Sequence, residues 1–137
     1  MKKNFLIVIF SFTLFSCSNS DDDNNQTANY FNPPSWIIGT WIQEGSSLGN
    51  GYIFTTNDFL LKNEIAGNTS FKEAIETTKS TGGNASATEE ISSTMYNVSI
   101  IIGAQTYIYN FQKVSDTKIE WINDPLGDLV DTYYNKQ

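Results

Sequence analysis

Residues 94–113 read TMYNVSIIIGAQTYIYNFQK, and this stretch decides the fold. Gly103-Ala104 at its centre is typical of a two-residue turn, because glycine supplies the positive φ that tight hairpins require. In the register that follows, each apolar residue on one face of the first strand meets an aromatic residue of the second: Tyr96 meets Phe111, Val98 meets Tyr109, and Ile100 meets Tyr107. This agreement predicts an antiparallel hairpin with one buried, aromatic face.

The opposite face of the hairpin is more polar. The same register sets Asn97 beside Asn110 and Ser99 beside Ile108. Successive side chains of a strand point to opposite sides of the sheet, so a slip of one residue would expose every aromatic ring. We therefore expect a single register, with the asparagine face toward water.

The connection after the hairpin lies around residues 115–117. We expect an odd number of loop residues there, because only that parity places Trp121 beside Phe111. A two-residue turn would set Glu120 in that place instead. With Trp121 included, the aromatic face becomes continuous over three strands, which favours a closed or nearly closed antiparallel β-barrel over a helical bundle.

The rest of the chain from residue 30 also has the composition of an all-β protein. Short runs of β-branched and aromatic residues alternate with Gly, Asn and Asp. Connections this short favour antiparallel neighbours, since a parallel crossover needs a dozen residues or more. Residues 64–93 show no clear strand pattern. The strands are predicted at 37–43, 51–56, 59–63, 94–102, 105–113, 118–123 and 129–135.

One segment predicts a short helix at 71–79. Ser70 and Glu73 have the spacing of a capping box, in which each side chain bonds the backbone of the other. Residues 71, 74, 75 and 78 then recur at helical spacing. The glycine-rich residues 82–86 are expected to form a flexible loop after the helix.

Composition excludes several classes of function. The chain has 137 residues, a net charge of -7 and no histidine, and all eight of its basic residues are lysines. Without arginine there is no bidentate phosphate clamp, so nucleic-acid binding is disfavoured. Without histidine there is no Ser-His-Asp arrangement and no histidine-rich zinc site.

Paired carboxylates are the catalytic groups that remain. Glu44, Glu120, Asp124 and Asp131 could in principle supply two acids at a working separation. Their neighbourhoods look like strand ends and turns, and the sequence around Asp124 lacks the alternating oxygen ligands of a calcium loop. We therefore expect no enzyme, no cofactor and no metal.

The first 16 residues predict a signal peptide. Lys2 and Lys3 precede an apolar run over residues 5–15, which is too short to span a bilayer as a mature helix. Leu14-Phe15-Ser16-Cys17 closes the run and resembles the lipobox of bacterial lipoproteins. Cys17 is the only cysteine, so it has no disulfide partner in the chain. The resemblance implies that Cys17 is the lipidated first residue of the mature protein.

Residues 17–29 are expected to form a solvated tether. Ser18 to Thr27 offer no core-forming side chain, and three aspartates stand at 21–23. An acidic patch just after the lipid cysteine resembles the export signal that places some Gram-negative lipoproteins on the outer face of the outer membrane. That location, with the domain exposed at the cell surface, is the expectation; a periplasm-facing anchor is the alternative.

The domain is expected to span residues 30–137, and its first residues show a further resemblance. Pro33-Pro34-Ser35-Trp36-Ile37-Ile38-Gly39-Thr40-Trp41 contains the G-x-W pattern of lipocalins and the wider calycin group. The chain end, Asp131-Thr132-Tyr133-Tyr134-Asn135-Lys136, looks like the last strand of small lipocalin-like lipoproteins. The resemblance implies an up-and-down barrel in which Gly39 and Trp41 are structural. The family often stacks a late arginine on this tryptophan; here Lys136 is the only late cation.

Two functions stay open from the sequence. In the first, a monomeric barrel anchored to the membrane binds a small apolar or amphipathic molecule. In the second, the barrel is solid and serves as a surface adhesion or protein-binding module. The residues expected to line a ligand site are Phe54, Tyr96, Val98, Tyr107, Tyr109 and Trp121, because aromatic rings supply contact area and tyrosine hydroxyls orient a polar group.

Overall fold

The structure is a computed structural model and describes residues 29–126 and 131–137. The predicted lipid site, Cys17, and residues 129–130 of the predicted last strand lie outside the described residues. Nine strands and one helix follow in chain order: β1 (Gly39–Gln43), β2 (Gly51–Phe54), β3 (Phe59–Lys62), β4 (Thr69–Ser70), α1 (Phe71–Ser80), β5 (Ala85–Ile91), β6 (Met95–Ile102), β7 (Gln105–Ser115), β8 (Lys118–Trp121) and β9 (Tyr133–Lys136).

All nine strands belong to one antiparallel sheet with the order β4-β3-β2-β1-β9-β8-β7-β6-β5. The sheet curls into a half-barrel, which confirms the all-β, up-and-down class with one short helix. Its edge strands, β4 and β5, do not pair with each other. Helix α1 packs against β3, β5 and β6 and so covers the gap between the two edges.

The predicted register of the central hairpin is confirmed. Ile102 lies opposite Gln105, and Tyr96 lies opposite Phe111. Gly103 has a φ of 63° in the turn, where a side chain would be strained. The inner face of β6 is buried at Tyr96, Val98 and Ile100. Because side chains alternate between the two faces of the hairpin, the residues of the predicted aromatic face lie toward the core.

The connection between β7 and β8 corrects one expectation. Phe111 does lie opposite Trp121, but the turn has two residues, Asp116 and Thr117, rather than an odd number. The parity is restored by a β-bulge at Val114, which adds one residue to β7 without a partner on β8. A bulge and a two-residue turn thus produce the register that an odd loop would give.

Helix α1 begins at the predicted N-cap, Ser70, which makes one of the two hydrogen bonds of the capping box. The hydroxyl Oγ of Ser70 accepts a hydrogen bond of 2.9 Å from the backbone N–H of Glu73. Phe71 and Ile75 are buried on the face toward the sheet. The expected loop at 82–86 is shorter than predicted, because Ala85 already begins β5. No helix among the described residues has the length and apolar character needed to cross a membrane.

The Gly39-x-Trp41 motif lies on β1, next to β9. The Trp41 side chain is fully buried, and its Nε1 donates a 2.6 Å hydrogen bond to the Ile37 carbonyl. The Lys136 Nζ lies 5.1 Å from the centre of the Trp41 ring, within the range of a cation–π contact. Gly39 has a φ of 137°, and a Cβ there would lie 2.8 Å from the Lys136 Cε. The Lys136 side chain therefore lies over the Trp41 ring.

The segment before β1 is held by a carboxylate. Both carboxylate oxygens of Glu89 accept from the Asn32 backbone N–H, at 3.0 and 2.9 Å. The Tyr96 hydroxyl donates to the same carboxylate at 2.6 Å. Phe31, beside Asn32, is buried in the core. The chain is thus ordered against β5 and β6 before the first strand begins.

We predict that Trp41→Ala lowers the free energy of unfolding by about 3–5 kcal/mol, the usual cost of truncating a fully buried aromatic residue. Trp36→Ala is the matched control, because the Trp36 ring is only partly buried. It should cost about 1–2 kcal/mol less than the core substitution. Urea unfolding of both variants measures the difference; equal losses would contradict the assignment of Trp41 as the core residue.

Candidate functional site

The interior of the half-barrel is filled by aromatic rings. The ring of Phe59 on β3 lies 5.0 Å from that of Tyr109 on β7, measured between centroids. Tyr52 on β2 lies 5.1 Å from Phe111 in an edge-to-face arrangement. Phe54 stacks on Phe59 at 4.9 Å. Because rings from opposite walls touch, the space between the walls is occupied by side chains.

The six residues expected to line a ligand site fall into two groups. Four of them are buried in this aromatic core: Phe54, Tyr96, Val98 and Tyr109. Tyr107 is half-buried beside the helix, where its ring lies 5.9 Å from that of Phe71. Trp121 is also half-buried, at the end of β8. The structure brings the aromatic residues together. Val98 borders an open depression between β5, β6 and β7, and Trp121 borders another one at the end of the sheet.

That depression, the mouth cleft, opens between the β1–β2 loop, the β3–β4 loop and the ends of β8 and β9. Its volume is about 380 Å³, within the usual size range of small-molecule sites. Its wall mixes apolar and polar side chains. The residues that define it here are Gln43, Asn50, Tyr52, Leu61, Lys62, Trp121 and Tyr134.

Three aromatic residues form the floor of the mouth cleft. The Tyr52 ring lies 4.8 Å from the Tyr134 ring and 6.0 Å from the Trp121 ring. The Trp121 Nε1 donates a 2.8 Å hydrogen bond to the Asn123 Oδ1, and the Asn123 Nδ2 donates to the Ile108 carbonyl. The indole is therefore linked through Asn123 to the backbone of β7.

The polar part of the rim has one unmet acceptor. The Oδ1 of Asn50 is sealed from solvent and accepts no hydrogen bond from residues 29–126 or 131–137, a state that costs free energy. The Lys62 ammonium does not donate a hydrogen bond to this oxygen. Its Nζ donates to the Gly49 carbonyl at 3.2 Å and forms an ion pair with Glu64.

Negative charge near the floor affects the tyrosines. Burial is the main cause that raises the pKa of Tyr134 to about 12; the hydrogen bond with Tyr52 opposes this rise, and the carboxylate of Asp124 adds to it. Burial likewise raises the pKa of Tyr52 far above its usual value, with Asp124 again contributing. The Asp124 carboxylate is held by the Thr132 hydroxyl and by the Leu126 N–H at 3.0 Å. An uncompensated carboxylate thus lies within electrostatic reach of the mouth cleft.

The candidate catalytic carboxylates gather beside the mouth cleft, in a second depression of about 480 Å³ that shares Gln43 with it. Glu44, Asp124 and Asp131 line this depression. Glu120 lies opposite Tyr133 on the neighbouring strand pair. In residues 29–126 and 131–137, no three such side chains are grouped closely enough to hold a metal ion.

Sequence reasoning missed two floor residues, Tyr52 and Tyr134. Tyr52 shares a strand face with Phe54, so the same alternation that selected Phe54 could have found it. Tyr134 follows Tyr133, and only the pairing of Gln43 with Tyr134 shows which of the two points inward. Asn50 lies in a loop and gave no periodic signal.

Comparisons with known proteins identify no relative of this chain. No protein-family model matches the chain, and neither a curated protein nor a solved structure matches it significantly.

We predict that the folded state loses stability at alkaline pH. Below about pH 10 the tyrosines are neutral in both states, so their contribution is fully present. As the pH rises toward about 12, the pKa of folded Tyr134, the unfolded chain ionises first and the free energy of unfolding falls. Urea unfolding across this window measures the fall, and Tyr134→Phe should reduce it. A pH-independent free energy would contradict the burial of these hydroxyls.

Proposed function

We propose that this chain is a lipid-anchored cell-envelope protein whose lipocalin-like half-barrel binds a small amphipathic molecule in the mouth cleft. The observation that carries the proposal is the contrast between two regions. The interior is closed by touching rings, whereas the cleft beside it opens to solvent over the half-buried side chains of Trp121 and Leu61. Ligand binding is thus assigned to the rim of the half-barrel and not to its interior.

The chemistry of the cleft supports an amphipathic ligand. Trp121 offers ring surface and Leu61 adds an aliphatic wall, and the buried rings of Tyr52 and Tyr134 lie beneath them. Burying an apolar tail against such surface contributes about 25 cal/mol for each Å² removed from water. The rim supplies polar side chains, among them Gln43 and Asn50. A molecule with an apolar tail and a polar head matches both parts.

The anchor is proposed from the sequence. The lipobox-like Leu14-Phe15-Ser16-Cys17 and the acidic residues 21–23 support acylation of Cys17 and display on the outer membrane. The lipocalin-like assignment is supported by the order of antiparallel strands and by Lys136 over Trp41. Residues 17–29, the predicted tether, would then link the lipid to the domain.

We predict that Leu61→Asn weakens binding of a lipophilic fluorescent dye by about fivefold to tenfold, because it removes about 1–1.5 kcal/mol of apolar contact. The protein is the chain from residue 17 to 137 with Cys17→Ser, which cannot be acylated. Leu60→Asn is the matched control, since side chains alternate along β3 and Leu60 faces away from the cleft. Absence of dye binding, or equal effects of both substitutions, would overturn the site.

For the anchor, we predict that bacteria expressing the full chain incorporate radiolabelled palmitate into it and retain it in the membrane fraction. With Cys17→Ser, the label is lost and the protein appears in the soluble fraction. The mass of the purified mature chain provides the control for correct processing. An unmodified Cys17 in the membrane-retained protein would show that the anchor proposal is wrong.

A second function, a solid module that binds a protein partner, is favoured by the outer face of the sheet. Ile108 on β7 and Ile122 after β8 are exposed. The Ile122 N–H donates a 2.9 Å hydrogen bond to the carbonyl of Asn110 on β7. The polar side chains around Ile108 include Thr88, Asn97 and Ser99. This function requires that the unacylated chain bind neither dye nor amphiphile, so the dye experiment separates the two.

A further inference from the structure

The wall of the mouth cleft offers no compensation to a charged head group. Among the described residues, Lys62 is the only charged residue that lines the cleft. Its ammonium is paired with the Glu64 carboxylate and donates to the Gly49 carbonyl at 3.2 Å. An ion that enters the cleft therefore loses hydration without meeting an uncompensated opposite charge.

The nearby Asp124 does not change this conclusion. Its charge contributes to the raised pKa values of Tyr52 and Tyr134, but its side chain lines the neighbouring depression and not the cleft. The field of this carboxylate disfavours an anionic head group. No described carboxylate lines the cleft itself to bind a cationic one. An uncharged head group is the one that remains.

The accessible polar groups of the cleft are amides and a hydroxyl. Gln43 and Thr69 line it and are exposed to solvent. Asn63 also lines it, and its Oδ1 accepts from the backbone N–H groups of Ile65 and Ala66 at 2.9 and 2.8 Å. These two bonds fix the orientation of the amide and leave its Nδ2 as a donor. The Nδ2 is not sealed from solvent, so a ligand can reach it.

Groups of this kind match a head group with several hydroxyls. A hydroxyl both donates and accepts, so it can accept from the Asn63 Nδ2 and exchange hydrogen bonds with Gln43 and Thr69. A head group that only donates or only accepts uses fewer of these groups. An uncharged polyhydroxylated head group, such as a sugar, uses all three without the desolvation penalty of an ion.

Polar surface continues beyond the cleft in the direction of helix α1. A groove of about 410 Å³ along the helix adjoins the cleft and shares Thr69 with it. Most of its wall again consists of amide and hydroxyl side chains, namely those of Asn68, Thr69, Ser70, Thr77 and Thr78. The apolar surface of the cleft lies at the half-buried Leu61 and Trp121. The two depressions thus present an apolar part and a larger, uncharged polar part.

We propose that the mouth cleft selects amphipathic molecules with an uncharged, polyhydroxylated head group, of which an alkyl glycoside is the simplest example. The inference rests on the proposed function and narrows it to one class of ligand. The apolar tail lies against Leu61 and Trp121. The hydroxyls of the head group meet the side chains of Gln43, Asn63 and Thr69.

Four probes with the same eight-carbon tail test this on the Cys17→Ser chain: octyl glucoside, octanol, octylamine and octanoate. Calorimetric titration below micelle-forming concentrations gives each affinity. Octyl glucoside should bind at least about fivefold more tightly than octanol, because one additional net hydrogen bond is worth about that factor. It should also bind more tightly than both charged probes, and added salt should not weaken it.

The outcomes separate the inference from the proposed function. If octanol binds as tightly as octyl glucoside, the selectivity for hydroxyls is overturned while the mouth cleft stands. If octylamine or octanoate binds as tightly as octyl glucoside, the preference for an uncharged head group is overturned. If no probe binds, the mouth cleft itself fails as a ligand site. Tighter binding of octyl glucoside than of the other three supports the inference.

A substitution of Asn63 locates the head group. Asn63→Asp keeps an oxygen that accepts from the N–H groups of Ile65 and Ala66 but removes the Nδ2 donor. It should weaken octyl glucoside about threefold to fivefold and leave the affinity for octanol unchanged. The same titrations measure both values.

Asn57→Asp is the matched control, because it makes the same change of charge in the β2–β3 turn. That turn lies at the far end of β2 from Gly51, which lines the cleft. Equal effects of the two substitutions would contradict a contact with Asn63. If Asn63→Asp fails to fold, Gln43→Ala at an exposed side chain takes its place. It should produce the same selective loss for octyl glucoside, and an unchanged affinity would overturn the inference.

Discussion

Contact between rings from opposite walls is the constraint on which the half-barrel depends. The two edges of the sheet, β4 and β5, do not pair, so hydrogen bonds alone do not close the curve. Phe59 against Tyr109 and Tyr52 against Phe111, at centroid distances of 5.0 and 5.1 Å, join β2 and β3 to β7 across the interior. Helix α1 completes the closure with Phe71 and Ile75. Small residues on β5, such as Ala85, leave room for that helix.

Because the interior is filled, the proposed binding site lies at the rim of the half-barrel. A protein of this size has one small core, and its aromatic rings fill the space between the two walls. At the mouth, the buried rings of Tyr52 and Tyr134 lie beneath the cleft, beside the half-buried Trp121. The core residues thus support the cleft from below, whereas loops supply part of its polar rim, including Asn50.

The sequence predicted those parts of the fold that periodicity determines. The hairpin register followed from alternation, and the helix followed from Ser70 and Glu73. Strand β5 was missed because its inward positions are Ala85, Ala87 and Glu89, which carry no large apolar signal; the helix and the segment before β1 cover them instead. The bulge at Val114 was missed because nothing local distinguishes it from a longer loop. At the site, Trp121 was predicted, but Asn50 comes to line the cleft only through loop geometry.

The central claim is that rings from β3 and β7 meet across the interior. Solution NMR of the mature, unacylated chain tests it through nuclear Overhauser contacts between aromatic protons. The account predicts direct contacts between the rings of Phe59 and Tyr109 and between those of Tyr52 and Phe111. If neither contact is observed although each wall retains its own contacts, the interior holds an open cavity. That result would contradict the assignment of binding to the mouth cleft.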